Sequence, residues 1–184
     1  MTTAVPTSSS AAATSARGTA APARAGLTLL GVVRVLLGLT FLWAFLDKTV
    51  GLGFATPADR AWIRGGSPTA GFLGGAIEAG NPFAGLWRFW LSLNPVTDVL
   101  FMAGLLGIGL ALVLGIGMRI AAVSGAAMYA LMYLASFPLT TNPVIDEHLV
   151  HGVLVVALAA VGADDLGLGA AWRRLVGDRA AWLI

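Results

Sequence analysis

The residues best suited to chemistry are few, and they gather at the ends of apolar runs. One run opens with Asp146-Glu147-His148-Leu149-Val150-His151, another closes on Asp47-Lys48, and a third carries Asp98 near its start. His148 and His151 are the only two histidines in the chain. Three positions apart, they share one face of a helix, with Glu147 four residues before His151 on the same side. Imidazole titrates near physiological pH and a neighbouring carboxylate tunes it, so the group reads as proton-handling. A zinc hydrolase would need the order His-Glu-x-x-His, and two imidazoles on one helix need a third ligand from elsewhere, so no metal site is expected. A transmembrane bis-histidine haem wants its ligands on facing helices, which this pair is not.

The elements that must position these groups are four apolar runs, at about residues 26–46, 95–117, 119–137 and 144–162. Each is near the ~20 residues that cross ~30 Å of hydrocarbon as a helix. The chain is 58% apolar and only 11% charged, with a positive mean hydropathy, and its 184 residues leave room for one membrane domain, over residues 26–170. The expected fold is all-α, an integral membrane four-helix bundle. Residues 1–25, rich in Ala, Ser, Thr and Pro, read as a disordered tail, and 171–184 as an amphipathic cytoplasmic one. With no cysteine, disulfides, iron–sulfur ligation and covalent haem are excluded within this chain. A net charge of only +2 gives no reason to expect nucleic acid. Arg17, Arg24, Arg119, Arg173, Arg174 and Arg179 fall at alternate run ends, which predicts cytoplasmic N- and C-termini in a plasma-membrane protein. Small residues at spacing four, Ala103, Gly107, Ala111 and Gly115 in the second run and Ala122, Ala126 and Ala130 in the third, predict stripes of close helix approach.

The long outer loop from Thr49 to Asn94 carries Trp62, Trp87 and Trp90. Pro68 to Ala79, opened by Ser67-Pro68, and Asn81 to Leu93 read as short apolar helices, interfacial or re-entrant, folded back onto the membrane. Arg34 and Lys48 in the first run are fourteen residues apart, hence on one face and about 21 Å apart along the axis. Arg34, about two turns inside, either faces the bundle or snorkels to the inner headgroups. Alternating direction through four spans brings Trp43, Asp47 and Lys48, Asp98, Tyr129 and Tyr133, and Glu147, His148 and His151 to the outer half. Under the loop tryptophans these predict one amphipathic cavity suited to a quinone head group, menaquinone or ubiquinone. In it Lys48, Asp47, Asp98, His148 and His151 handle protons, while Trp43, Tyr129, Tyr133, Trp87 and Trp90 line the wall. Arg60, Arg64, Arg88 and Glu78 on the loop are the candidate contacts for a small anionic substrate.

The run Leu30-Gly-Val-Val-Arg34-Val-Leu-Leu-Gly38-Leu-Thr-Phe41-Leu-Trp43-Ala-Phe-Leu-Asp47-Lys48 resembles the first helix of the DoxX/DoxD family, whose pattern is an arginine, a glycine four later and a lysine at the helix end. The histidines followed by Gly162-Ala-Asp164-Asp165 look similar too, and the loop with Gly65-Gly-Ser-Pro-Thr-Ala-Gly-Phe-Leu73 is closer to the DoxD type. The likeness covers most of residues 27 to 170. It implies a four-helix membrane subunit, in some members part of a thiosulfate:quinone oxidoreductase, with Lys48 as candidate quinone partner and Arg34 as a family-pattern residue of structural or inner-path role. Its implied partners are the lipid bilayer and a small membrane or soluble redox subunit; a homo-oligomer stays open. Two further classes stay open beside the enzyme: a non-catalytic membrane scaffold for a soluble redox partner, and a small-anion transporter.

Overall fold

The computed structural model describes residues 9–163 and 166–177, with side chains from residue 25 onward. Most side chains of the expected N-terminal tail, the Asp164-Asp165 pair and Arg179 lie outside the described residues. Every regular element among the described residues is helical: α1 (Ser9–Val50), α2 (Ala70–Glu78), α3 (Ala84–Ser92), α4 (Val96–Leu114), α5 (Met118–Ala135), α6 (Glu147–Ala160) and α7 (Gly169–Val176). Two 3-10 turns, Ala58–Arg60 and Trp62–Arg64, precede α2.

Among the described residues three helices are long and apolar enough to cross a membrane: Ala25–Val50 within α1, α4 and α5. The expected fourth run is helical only over the 14 residues of α6, which at 1.5 Å per residue extends about 21 Å, short of ~30 Å of hydrocarbon. Asp146 ends it on one side, accepting the Leu149 N–H as an N-cap. The link between α4 and α5 is set by two glycines in the left-handed region, Gly115 (φ 74) and Gly117 (φ 57). A Cβ disfavours that conformation, so one helix stops at Leu114 and the next starts at Met118.

Helix α1 packs on α4 and α5 on α6, with further contacts of α4 with α5 and of α1 with α6. The core between them holds Leu37 and Phe41, Met102, Leu105, Ile108 and Leu112, Tyr129, Val155 and Leu158. Lipid tails are as apolar as these side chains, so close packing rather than transfer from water favours the association. The glycines that permit it differ from those the spacing suggests. Gly107 has open space where a Cβ would stand, and Ala103 is exposed. Close approach instead occurs at Gly38, where a Cβ would lie 2.9 Å from the Val113 backbone nitrogen, and at Gly109, where it would lie 2.7 Å from Leu42. On α5 Ala122 is buried and Ala130 exposed, so only part of that stripe faces the bundle.

Arg34 is fully buried and faces the bundle rather than the headgroups. Its guanidinium donates through Nη1 to the Leu112 carbonyl and through Nη2 to the Leu166 carbonyl. The last carbonyls of a helix have no partner within it and carry the negative end of its dipole. Arg34 therefore caps α4 from the side and ties it to the chain entering α7, where the Leu168 N–H also reaches the Leu114 carbonyl at 2.7 Å.

Candidate functional site

Three polar side chains hold the connection between α1 and α4 in place. Asp47, at the end of α1 and 1% exposed, accepts from the backbone N–H groups of Phe54 (3.4 Å) and Ala55 (3.1 Å). Asp98, in the first turn of α4, accepts through one oxygen from the Ser67 hydroxyl (2.9 Å), the Thr69 N–H (3.0 Å) and the Thr69 hydroxyl (2.6 Å). Asn81, between α2 and α3, donates to the carbonyls of Leu134, Ala135 and Phe137 at 2.7 to 3.1 Å. Its own carbonyl accepts from the Phe83 N–H and the Trp87 indole. Asp47 and Asp98 are thus engaged in fixing the loop. Buried carboxylates are retained when donors surround them, and those donors here are backbone and hydroxyl groups.

So held, α2 and α3 roof a cleft between α4 and α5. Its volume is about 350 Å³. Phe72, Trp87 and Trp90 come from the roof, Leu100, Phe101 and Ile108 from α4, and Met128, Leu131 and Met132 from α5. Leu100 and Leu131 are exposed on their helices, so the cleft meets the outer surface of the α4–α5 pair. Among its polar atoms, the Thr97 hydroxyl is spent on the Trp90 carbonyl (2.6 Å) and the Ser124 hydroxyl on the Ile120 carbonyl (2.7 Å). The Trp90 indole nitrogen is buried and has no partner among the described residues. Phe101 also takes the half-buried Lys48 ammonium against its ring, 5.9 Å from the centroid.

A second, polar cavity of about 570 Å³ lies where the 136–146 segment meets α6. Ser136, Thr140, Thr141 and Asn142 line it together with Asp146, Glu147, His148 and His151. His148 Nδ1 is 2.6 Å from an Asp146 carboxylate oxygen and 3.5 Å from the Ser136 hydroxyl. The other Asp146 oxygen accepts the Leu149 N–H at 3.0 Å. Asp146 stands ahead of the first turn of α6. Partial burial raises its carboxyl pKa, but the Leu149 N–H and the His148 ring outweigh that and hold it below the usual carboxylate range. Behind the two imidazoles lies the Tyr129 ring, its centroid 6.3 Å from that of His148 and 5.5 Å from that of His151.

The one amphipathic cavity expected from the sequence is therefore two. Trp87 and Trp90 line the apolar one; His148, His151 and Glu147 line the polar one. Trp43 belongs to neither, being 47% exposed on the outer face of α1 with Phe54 edge-on at 5.1 Å. Tyr133 donates its hydroxyl to the Val144 carbonyl and braces the 136–146 segment. Arg60, Arg64, Arg88 and Glu78 are all exposed on the loop and border neither cavity. Among the described residues no three His, Asp or Glu side chains converge for a metal ion. Asn81, Thr69 and Asp146 carry more of this geometry than the sequence signals; only Asp146, directly before an apolar run, had a legible sign, that of an N-cap. No family model, curated protein or solved structure matches the chain.

Proposed function

We propose that this chain is a four-helix membrane protein, α6 completing the bundle beside the three longer spans, and that the α4/α5 cleft binds a quinone drawn from the bilayer. The observation that carries this is an apolar cavity walled by Phe72, Trp87, Trp90 and Phe101, in whose wall the Trp90 indole nitrogen is buried without a partner among the described residues. An indole is a donor only, and a buried donor left unsatisfied costs about 1–3 kcal/mol. A quinone carbonyl relieves that cost once the Trp90 ring turns its N–H into the cavity, while the quinone's flat ring packs on Trp87, Phe72, Phe101 and the methionines. The cavity falls in the ~300–1,000 Å³ range of small-molecule sites, and an isoprenoid tail has an exit toward lipid past Leu100 and Leu131.

A bound quinone would supply two-electron acceptor chemistry that this cysteine-free chain lacks. The chain's own residues bind and orient: Trp90 by its N–H, Thr97 and Asn81 by fixing the tryptophans, Lys48 by setting a positive charge against Phe101. The oxidoreductase reading, with thiosulfate or another small sulfur anion attracted by the exposed Arg60, Arg64 and Arg88 and electrons passed with a partner subunit, draws its support from the DoxX/DoxD-like pattern of α1 and the DoxD-like loop from Gly65 to Leu73. The arrangement of arginines along the sequence supports cytoplasmic termini.

Protein purified in mild detergent is expected to yield quinone on solvent extraction, and a short-tailed quinone is expected to quench its tryptophan emission saturably. Trp90→Phe keeps an aromatic ring, though a smaller one, and removes the donor, so binding should weaken at least about 3- to 10-fold, the worth of one net hydrogen bond. Absence of extractable quinone together with unsaturable quenching would overturn the assignment.

A further inference from the structure

The polar cavity is built separately from the cleft, and its chemistry is legible on its own. A carboxylate accepts hydrogen bonds and cannot donate them, so the 2.6 Å contact places a proton on His148 Nδ1. In the neutral ring the lone pair then sits on Nε2, at the far side of the imidazole from Asp146. Asp146 and His148 are each 15% exposed, shielded enough to hold one geometry and open enough to meet a solute. The ionisable groups facing this ring are Asp146, Glu147 and His151 from the start of α6, and Tyr129 from α5. Among the described residues neither lysine nor arginine lines the cavity. Two carboxylates without a cation disfavour an anionic guest, while Ser136, Thr140, Thr141 and Asn142 offer hydrogen bonds to a neutral one.

We propose that this cavity is a proton-accepting site for a small uncharged hydroxylic or weakly acidic solute, with His148 Nε2 as the base and Asp146 as the positioning residue. The solute's O–H bond breaks as its proton passes to the Nε2 lone pair, the bonding electrons staying on the solute oxygen. The imidazolium so formed faces the Asp146 carboxylate, and its proton returns to water through the open cavity. The inference holds whether or not the cleft takes a quinone.

Asp146→Asn separates positioning from folding. The remaining amide oxygen can still cap the Leu149 N–H, but the amide nitrogen cannot accept from His148. With only two histidines in the chain, ¹⁵N-imidazole labelling of the full chain in lipid nanodiscs at alkaline pH gives two ring systems, assigned with His151→Gln. The wild-type His148 ring is expected in the Nδ1–H form, and in the Nε2–H form after Asp146→Asn. Diethyl pyrocarbonate, which attacks an unprotonated ring nitrogen, should modify His148 several-fold more slowly in that variant. Phenol should shift the His148 signals and benzoate should not. An Nε2–H ring in the wild type, a tautomer insensitive to Asp146, or benzoate binding as well as phenol would each overturn the proposal. Should Asp146→Asn fail to fold, Asp146→Ser retains a capping oxygen, removes the second one, and is read by the same signals.

Discussion

Replacing Asn81 with alanine removes, in one step, the side chain that fastens α2 and α3 to the end of α5. Five hydrogen bonds go: three donated to Leu134, Ala135 and Phe137, and two accepted from Phe83 and Trp87. Asn81 is 3% exposed and Trp87 1%, so water does not simply take over. Stranding the Trp87 indole N–H alone costs about 1–3 kcal/mol, and water recovers part of the carbonyl loss at the half-buried Leu134 and Phe137 but not at the buried Ala135. A net destabilisation of about 2–4 kcal/mol follows, spent locally on the roof of the cleft because α1, α4, α5 and α6 pack through other residues. Hydrogen exchange in nanodiscs should therefore quicken in residues 70–92 by roughly 30-fold or more, at ~1.4 kcal/mol per factor of ten, with the spans little changed. Trp87 emission should shift to the red and quinone quenching should weaken. Unchanged exchange across α2 and α3 would refute the clamp; equal loosening throughout the bundle would refute its local character.

Arg34→Lys keeps the charge but not the planar fork that reaches two carbonyls, so one of Leu112 and Leu166 loses its donor; thermal unfolding in detergent should reveal a loss of about 1–3 kcal/mol. Gly109→Val forces a side chain into the Leu42 contact, where even a Cβ would stand 3.1 Å from the backbone nitrogen. It should destabilise the α1–α4 pair by about 1–3 kcal/mol in the same measurement, whereas Gly107→Val, with open space around it, should not.

What the sequence made legible was mostly one-dimensional. Runs of apolar residues locate α1, α4 and α5, and Ser67-Pro68 and the tryptophan cluster locate α2 and α3, because length, capping and hydropathy are properties of consecutive residues. Which side of a helix turns inward is not. Spacing four puts Ala103 and Gly107 on one face, but the buried face of α4 is that of Asp98, Leu105 and Leu112. The division of one expected cavity into two has the same origin: His148 and Trp90 both belong to the loop end of the bundle, and only the packing of the roof on α5 shows which of them meet. Asp47 and Asp98 looked like proton carriers because a buried carboxylate near a helix end is costly; their partners are loop amides and hydroxyls, which no composition reveals.

The two carbonyls that receive Arg34 are far apart in time as well as in sequence. Leu112 emerges from the ribosome with the second span, whereas Leu166 lies 132 residues beyond Arg34, after the last helix of the bundle. Until that segment arrives, the guanidinium has the Leu112 carbonyl but not the Leu166 one. Arg34 thus ties the docking of the segment after α6 to the α1–α4 pair, so a nascent or truncated protein ending before residue 166 leaves the Nη2 donor without the Leu166 carbonyl.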